Sequence, residues 1–458
     1  MPRRPIRFAN AADLAPALAA IRREAGVSDA FPPDVEAEAA QAARMAPPGD
    51  EVDLPFVTID PPGSRDLDQA LHIEPRGDGH RVSYAIADVS AFVAAGGALD
   101  TETRARGVTV YAPDRKAPLH PPVLSEGAAS LLPGERRPAV LWTLDLDATG
   151  ELTSVVVARA LVRSVAQHTY ADVPPDVAGP LREVGERRLG LERARGGVRL
   201  ALPEQEVVSE NGGWTVRYRA PLPTEEHNPQ ISLLTGMAAA RLMVASGVGI
   251  LRTQEAPSEK SLTRLRRQAE ALHVPWPDGL PYPEFVRTLD SSLPRHAALM
   301  HEAAGVGRGA GYTAFDGALP EQPAHFAIAA PYGHATAPLR RLQDRFVSEC
   351  CLAACAGTPA PDWVRRALPL LPDVMAAAAK RAAAVERGVV DLVEAVLLAG
   401  REGERFDAVV VDDDLVQLRD PAVRGRLASD RPEPGREITV RLERADPATR
   451  TVAFAVAG

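Results

Sequence analysis

The sequence predicts an α+β protein, and three observations carry that prediction. Between Phe56 and about Val162, strand-length apolar segments alternate with Gly, Pro and Asp turns. From Asn228 to Leu398 helical spacing dominates in long Ala-rich stretches, and after Arg405 short strands return. A chain of 458 residues is too long for one compact core, so about two to four domains are expected. With 45% hydrophobic and 25% charged residues, its composition is that of a globular protein and excludes a wholly disordered or fibrous one.

In chain order, residues 1–49 read as a helical module. Asn10 is placed to cap a first helix, Leu14, Leu18 and Ile21 recur on one face, and Gly26 ends it. A second helix follows Pro32-Pro33-Asp34 through Val35, Ala39 and Ala42 or Ala43 to Pro47-Pro48-Gly49. A helix-turn-helix and a plain packing arm both fit this pattern. Strands are expected at Pro55–Asp60, Ala70–Ile73, Val82–Ala87 and Val140–Asp145. Helices are expected within 228–271, 282–303 and 339–398. The tail, 401–458, has strands at Phe406–Val411, Leu415–Leu418, Glu437–Arg444 and Thr451–Val456, which suits a small OB-type barrel. Such barrels hold single strands by stacking and cationic grooves, but this tail carries only Phe406 and Phe454 as aromatics.

The net charge of −9 argues against a protein coated in basic surface and confines any nucleic-acid site to a local groove. Of the 52 basic residues only Lys116, Lys260 and Lys380 are lysine, a bias that a GC-rich genome explains. Cys350, Cys351 and Cys355 crowd into one expected helix, where their odd number and spacing argue against disulfides or zinc and for buried small hydrophobes. The longest apolar stretch, Gly236–Ile250, is interrupted by Arg241, and no signal-like segment follows the basic N-terminus. A cytoplasmic protein with no membrane partner is expected.

The segment that carries chemistry is Ile59-Asp60-Pro61-Pro62-Gly63-Ser64-Arg65-Asp66-Leu67-Asp68-Gln69. A strand delivers Asp60, a Pro-Pro-Gly turn reverses direction, and Asp66 and Asp68 lie two apart on an extended stretch, hence on one face. Carboxylates gathered by one turn raise one another's pKa unless a cation neutralises them. By spacing alone this pattern fits a magnesium site, and with it phosphoryl transfer or phosphodiester hydrolysis, and it also fits aspartates that cap turns or stand in a solvated loop.

The stretch from Phe56 to Val93 closely resembles the signature of the ribonuclease II (RNB) family of exoribonucleases. Further segments follow in that family's order: Val110-Tyr111, Leu119–Leu124, Arg137-Pro138-Ala139, Tyr170–Val173, Gln230–Met237 and Tyr332–Arg341. The likeness runs over roughly residues 50–400. It implies an RNB catalytic domain, a mixed sheet flanked by helices, over 50–400. It also implies removal of nucleotides from the 3′ end of single-stranded RNA as 5′-monophosphates with magnesium, manganese being a candidate substitute. In the family, two cold-shock-type barrels usually precede this domain. Here about 50 helical residues stand before it, so a short form with a different RNA entrance, working as a monomer, is expected.

By position within the motif, Asp60, Asp66 and Asp68 match three of the family's four active-site aspartates, and the fourth is Gln69. The resemblance implies that Asp60 and Asp66 hold metal, with Gln69 a weaker neutral ligand, and that Asp68 is the most sensitive carboxylate, assisting water or the departing 3′-oxygen. Arg340 offers a guanidinium fork to the phosphate, with Arg341 beside it. Tyr111 matches the tyrosine that packs on the terminal nucleotide, and Glu386 a glutamate that accepts bonds from the terminal ribose. His334 and Tyr170 are further candidate contacts, and Asp88 a supporting group. Against this stand two other readings. One is a catalytically silent RNA-binding protein with the same fold, motivated by Gln69. The other, a DxD nucleotide-sugar transferase, lacks a Gly-rich phosphate loop after a strand.

Overall fold

The computed structural model describes residues 14–457 except 46–48, 201–203, 211–212, 220–221, 291–292, 308, 413, 422, 429–430 and 434. The expected cap at Asn10 lies outside the described residues. Two short helices open the described chain, α1 (Ala15–Glu24) and α2 (Pro33–Ala42). Gly26, at φ +67°, takes the left-handed turn that ends the first helical segment.

A five-stranded closed barrel follows: β1 (Glu51–Ile59), β2 (Gln69–Arg76) and β3 (Gly79–Ala87), then β6 (Arg136–Leu146) and β7 (Leu152–His168). Between β3 and β6 lie helix α3 (Ala98–Arg106) and a tight hairpin of β4 (Val110–Tyr111) with β5 (Lys116–Ala117). Neighbouring strands are antiparallel except β1 and β7, which close the barrel in parallel. The long strand β7 was not legible as an element. Its residues, LTSVVVARALVRSVAQH, alternate only weakly and half of them face solvent.

The period-two pattern sorts the barrel residues into two cores. Val57, Ile59, Leu71, Tyr84, Ile86, Trp142 and Leu144 join one that takes in the helices. Phe56, Ala70, Ala85, Ala87, Ala139 and Ala160 join the other, with Leu67, Leu131 and Leu339. Leu18 and Ile21 of α1 belong to the first core, and Val35 and Ala39 of α2 to the second. The N-terminal helices therefore pack as part of the barrel's own cores, and the packing arm is the reading the contacts favour over a free-standing helix-turn-helix. Arg22 grips Asp114 through a buried two-point pair (2.6 and 3.0 Å), and Arg106 stacks on Phe31 with its carbon 3.7 Å from the ring centre.

After the barrel come α4 (Pro175–Ala194), the hairpin β8 (Glu204–Glu210) with β9 (Gly213–Arg219), and α5 (Pro223–Ser246). Strand β10 (Val248–Thr253) interrupts the expected helical stretch and pairs with β11 (Gly311–Asp316) around α6 (Glu259–Ala271), α7 (Tyr282–Arg287) and α8 (Pro294–Val306). Gly247, in the left-handed conformation at φ +75°, makes that break. A short hairpin, β12 (Ala324–His325) with β13 (Ala330–Pro331), precedes α9 (Leu342–Ala356), α10 (Asp362–Ala367) and the 28-residue α11 (Leu371–Leu398). The three cysteines sit on α9, Cys350 and Cys351 buried, all as free thiols.

The tail closes a second five-stranded barrel: β14 (Arg405–Asp412), β15 (Leu415–Leu418), β16 (Arg424–Leu427), β17 (Glu437–Asp446) and β18 (Thr451–Val456). Strand β16 is an addition to the four expected. Phe406 and Phe454 meet edge to face inside this barrel, ring centres 6.4 Å apart and both buried. They stabilise its core and offer no stacking platform. No helix is long and apolar enough to cross a membrane among the described residues.

Candidate active site

The aspartate turn is fixed from three sides. Asp60 leaves the end of β1 with its N–H donating to the His168 carbonyl (3.0 Å). Gly63, at φ +78°, supplies the turn that a side chain would strain. The Ser130 hydroxyl accepts from Leu67 N–H (2.9 Å) and donates to the Arg65 carbonyl (2.6 Å), and Leu131 N–H donates to the Leu67 carbonyl (3.0 Å).

A second segment is brought to this turn from far along the chain. Leu339 N–H donates to Asp68 Oδ1 (2.8 Å), and Arg340 Nε stands 3.5 Å from Asp68 Oδ2. Residues 107–111 run antiparallel to 339–342: Thr109 N–H donates to the Arg340 carbonyl and Leu342 N–H to the Gly107 carbonyl, both at 3.0 Å. Glycine is required at 107, where φ is +72° and a Cβ would lie 2.6 Å from Ala378 of α11. This pairing delivers Tyr111 beside the aspartates, its hydroxyl 3.4 Å from Asp66 Oδ2 and its ring 40% exposed. Asp66 Oδ1 is paired with Lys116 Nζ (2.8 Å), which also holds Glu126 (2.9 Å).

Electrostatically these carboxylates are short of positive charge. Burial pushes Asp60 up to about 6, with the Asp66 charge adding to the rise and Arg340 opposing it. Burial likewise lifts Asp68 to about 7 against the pull of Arg340 and the Leu339 N–H. Burial with the nearby Asp66 charge raises the Tyr111 phenol to about 12, so it stays neutral. Among the described residues no three His, Cys, Asp or Glu side chains close into a cage for an ion. Magnesium asks for less, commonly one or two carboxylates with waters and substrate phosphate. Asp60 and Asp66 fit that demand, with Asp60 a desolvated carboxylate that gains from a cation.

Several expected residues are placed otherwise. Gln69 is engaged by protein neighbours: its amide N–H donates to the Thr336 carbonyl (2.5 Å) and its Oε1 accepts from the Tyr84 hydroxyl (2.6 Å), which also meets Ser232 (2.9 Å). An amide can satisfy both neighbours at once, whereas a carboxylate has no N–H to give. Arg341 clamps Asp344 with two bonds (2.9 and 2.7 Å). Asp344 in turn accepts from Ala337 N–H (2.9 Å), so the pair shapes the loop that presents Arg340. His334 lies behind that loop, its Nδ1 2.7 Å from the Tyr312 hydroxyl. Burial, with Arg341 and Arg252 nearby, holds its imidazole well below the usual value and therefore neutral.

Tyr170 remains near the site: burial and the Asp60 charge push its phenol up, and it bonds to Asn228 of α5. Asp88 caps a short turn through Ser90 N–H (3.1 Å) and pairs with Arg159 (2.8 Å), a supporting role away from the chemistry. Glu386 stands exposed on α11 without a hydrogen-bonded link to the aspartate turn among the described residues. Lys116, Asn228, Tyr84 and Ser232 were missed by sequence reasoning. Lys116 alone had a signal, as one of three lysines among 52 basic residues and five positions past Tyr111.

The RNB domain profile matches residues 50–355. The chain belongs to the RNB family. A second profile, the RNase II-type exonuclease C-terminal S1 domain, matches residues 404–457, the second barrel. Ribonuclease R of Escherichia coli is 31% identical over 330 residues, covering 67% of this chain and 40% of that protein. This RNB chain thus spans about two-fifths of that relative's length. Among solved structures, Mycoplasma genitalium RNase R in complex with ribose-methylated single-stranded RNA superposes with a TM-score of 0.84, at 18% identity, over 98% of this chain and 79% of that one. The RNB fold is also shared with yeast Ssd1, a pseudonuclease, at a TM-score of 0.62 and 15% identity over 86% of this chain and 52% of that one.

Proposed function

We propose that the chain is a metal-dependent 3′-to-5′ exoribonuclease that hydrolyses single-stranded RNA to nucleoside 5′-monophosphates, acting as a cytoplasmic monomer. The observation that carries this reading is the meeting of Asp60, Asp66 and Asp68 with Arg340 and the exposed Tyr111 ring at the end of one barrel. Asp60 and Asp66 hold the ion, magnesium in this reading. Bound there, a divalent ion polarises the scissile phosphate and lowers the pKa of an attacking water.

The chain's own groups do the rest. Arg340, half exposed beside Asp68, meets the phosphate and neutralises charge as it develops. Asp68 aims that guanidinium, and with a pKa near 7 it also suits taking a proton from water or returning one to the 3′-oxygen. Tyr111 packs on the terminal nucleotide and Tyr170 on the far side of Asp60. Glu386 is the candidate acceptor for the ribose hydroxyls. In this reading residues 50–400 carry the chemistry, residues 1–49 brace them, and 401–458 guide the strand by backbone contacts.

The test is a time course on 5′-labelled single-stranded RNA and DNA of equal sequence, with magnesium or with chelator. Stepwise 3′ shortening of RNA alone, abolished by chelator, is expected. Internal cuts, or equal attack on DNA, contradict the reading.

A further inference from the structure

Lys116 occupies an unusual place. Strands β4 and β5 pair Tyr111 directly with Lys116, so both side chains leave the same face of the hairpin. The tyrosine hydroxyl reaches Asp66 Oδ2 (3.4 Å), and the ammonium reaches Asp66 Oδ1 (2.8 Å). A third contact, to Glu126 Oε1 at 2.9 Å, fixes the ammonium from the opposite side. Its side chain is only 24% exposed, and its two partners are 16% and 27% exposed. Lys116 thus takes Asp66 Oδ1, while Oδ2, with the longer contact to Tyr111, is the oxygen left to face an ion.

We propose that the Lys116 ammonium is a built-in cation that takes the place of a second divalent ion, making this a one-metal site. The inference rests on the exoribonuclease reading above and goes further, since it fixes how many ions that site holds. Two independent features agree with it. Gln69 brings no charge, and its amide is spent on Thr336 and Tyr84. Charge points the same way: Lys116 and Arg340 already set two positive groups among Asp66, Glu126 and Asp68, which lessens the need for a second ion. A second ion would have to displace an ammonium already held by two carboxylates, or sit beside it against like-charge repulsion.

Lys116 is in this account a positioning residue, holding Asp66 for the single ion and the turn for Tyr111. The measurement is Mn²⁺ stoichiometry, read from the loss of the free-ion electron paramagnetic resonance signal. The sample is the full chain saturated with 2′-O-methyl oligo(A). Wild type and K116R bind one ion. K116M, which keeps the length and loses the charge, frees Oδ1 of Asp66 and binds a second. Two ions on wild type overturn the proposal, and that count decides even if K116M does not fold. A folded K116M that still binds one ion also overturns it, leaving Lys116 as a brace between Asp66 and Glu126. No ion on either protein refutes the metal-dependent reading itself and this inference with it.

Discussion

Among the described residues there are two closed five-stranded barrels, and the candidate site sits on the first. In the first, β1 ends in an aspartate turn whose carboxylates are buried and lifted to pKa values of about 6 and 7. In the second, several charged side chains form exposed local pairs, such as Arg426 with Asp414 and Arg444 with Asp446. The one strong shift there, Asp446, is a lowering by Arg444 and Thr449. The barrel alone does not make the site. What differs is that the first barrel's aspartate turn is overlaid by segments outside its strands: the 107–111 strand and the loop before α9 cover the turn and bring Arg340 to it. Chemistry resides in that overlay.

This contrast breaks most sharply at Asp68. D68N keeps the shape and the acceptor for Leu339 N–H but removes the charge. Turnover is expected to fall by about a hundredfold to ten-thousandfold, with RNA affinity and melting temperature close to wild type. Retention of a tenth of wild-type turnover would remove Asp68 from its role. R340K comes next: a point ammonium cannot reproduce the guanidinium fork, so single-turnover cleavage should slow by roughly ten- to a hundredfold. Equal rates would show that charge alone suffices.

Metal binding should carry the signature of the raised carboxylates. Both hold protons more tightly in the fold than in the unfolded chain, so the metal-free protein loses stability as pH rises from about 4 to about 7. A cation held by Asp60 must displace its proton, so the magnesium needed for half-saturation should fall about tenfold per pH unit below about 6 and level off above it. A flat profile would mean that Asp60 does not face the ion. The second barrel supplies the contrasting case. F454A empties its core and should cost about 3–5 kcal/mol, yet single-turnover cleavage by the folded protein should stay within about twofold, because no group of that barrel serves the chemistry. A large fall in rate would show that the two barrels are coupled.

The same contrast explains what the sequence disclosed. Period-two strands at Phe56, Ala70, Val82 and Val140 were legible because one face is aliphatic and the other small. Strand β7 was not, since it alternates weakly and closes the barrel through parallel pairing with β1, a partner about 100 residues away. The Asp60, Asp66, Asp68 turn was legible because its residues are adjacent in the chain. The hydrogen bonds of Gln69 were hidden because its partners, Tyr84 and Thr336, come from two other segments. Arg340 and Arg341 are adjacent in sequence, and it is their partners that separate them: Arg340 stands beside Asp68, whereas Arg341 clamps Asp344, three residues on. Lys116 was overlooked because its importance comes from Asp66 and Glu126 converging on it, and neither is its neighbour in the chain.

The most direct test of the central claim is single-turnover digestion of 5′-labelled oligo(A) by wild type and D68N with magnesium, read on a sequencing gel. The account predicts a ladder that shortens one nucleotide at a time from the 3′ end for wild type, with AMP released, and full-length RNA bound and uncut by D68N. RNA bound and uncut by wild type as well would contradict it and make this chain a silent bearer of the RNB fold.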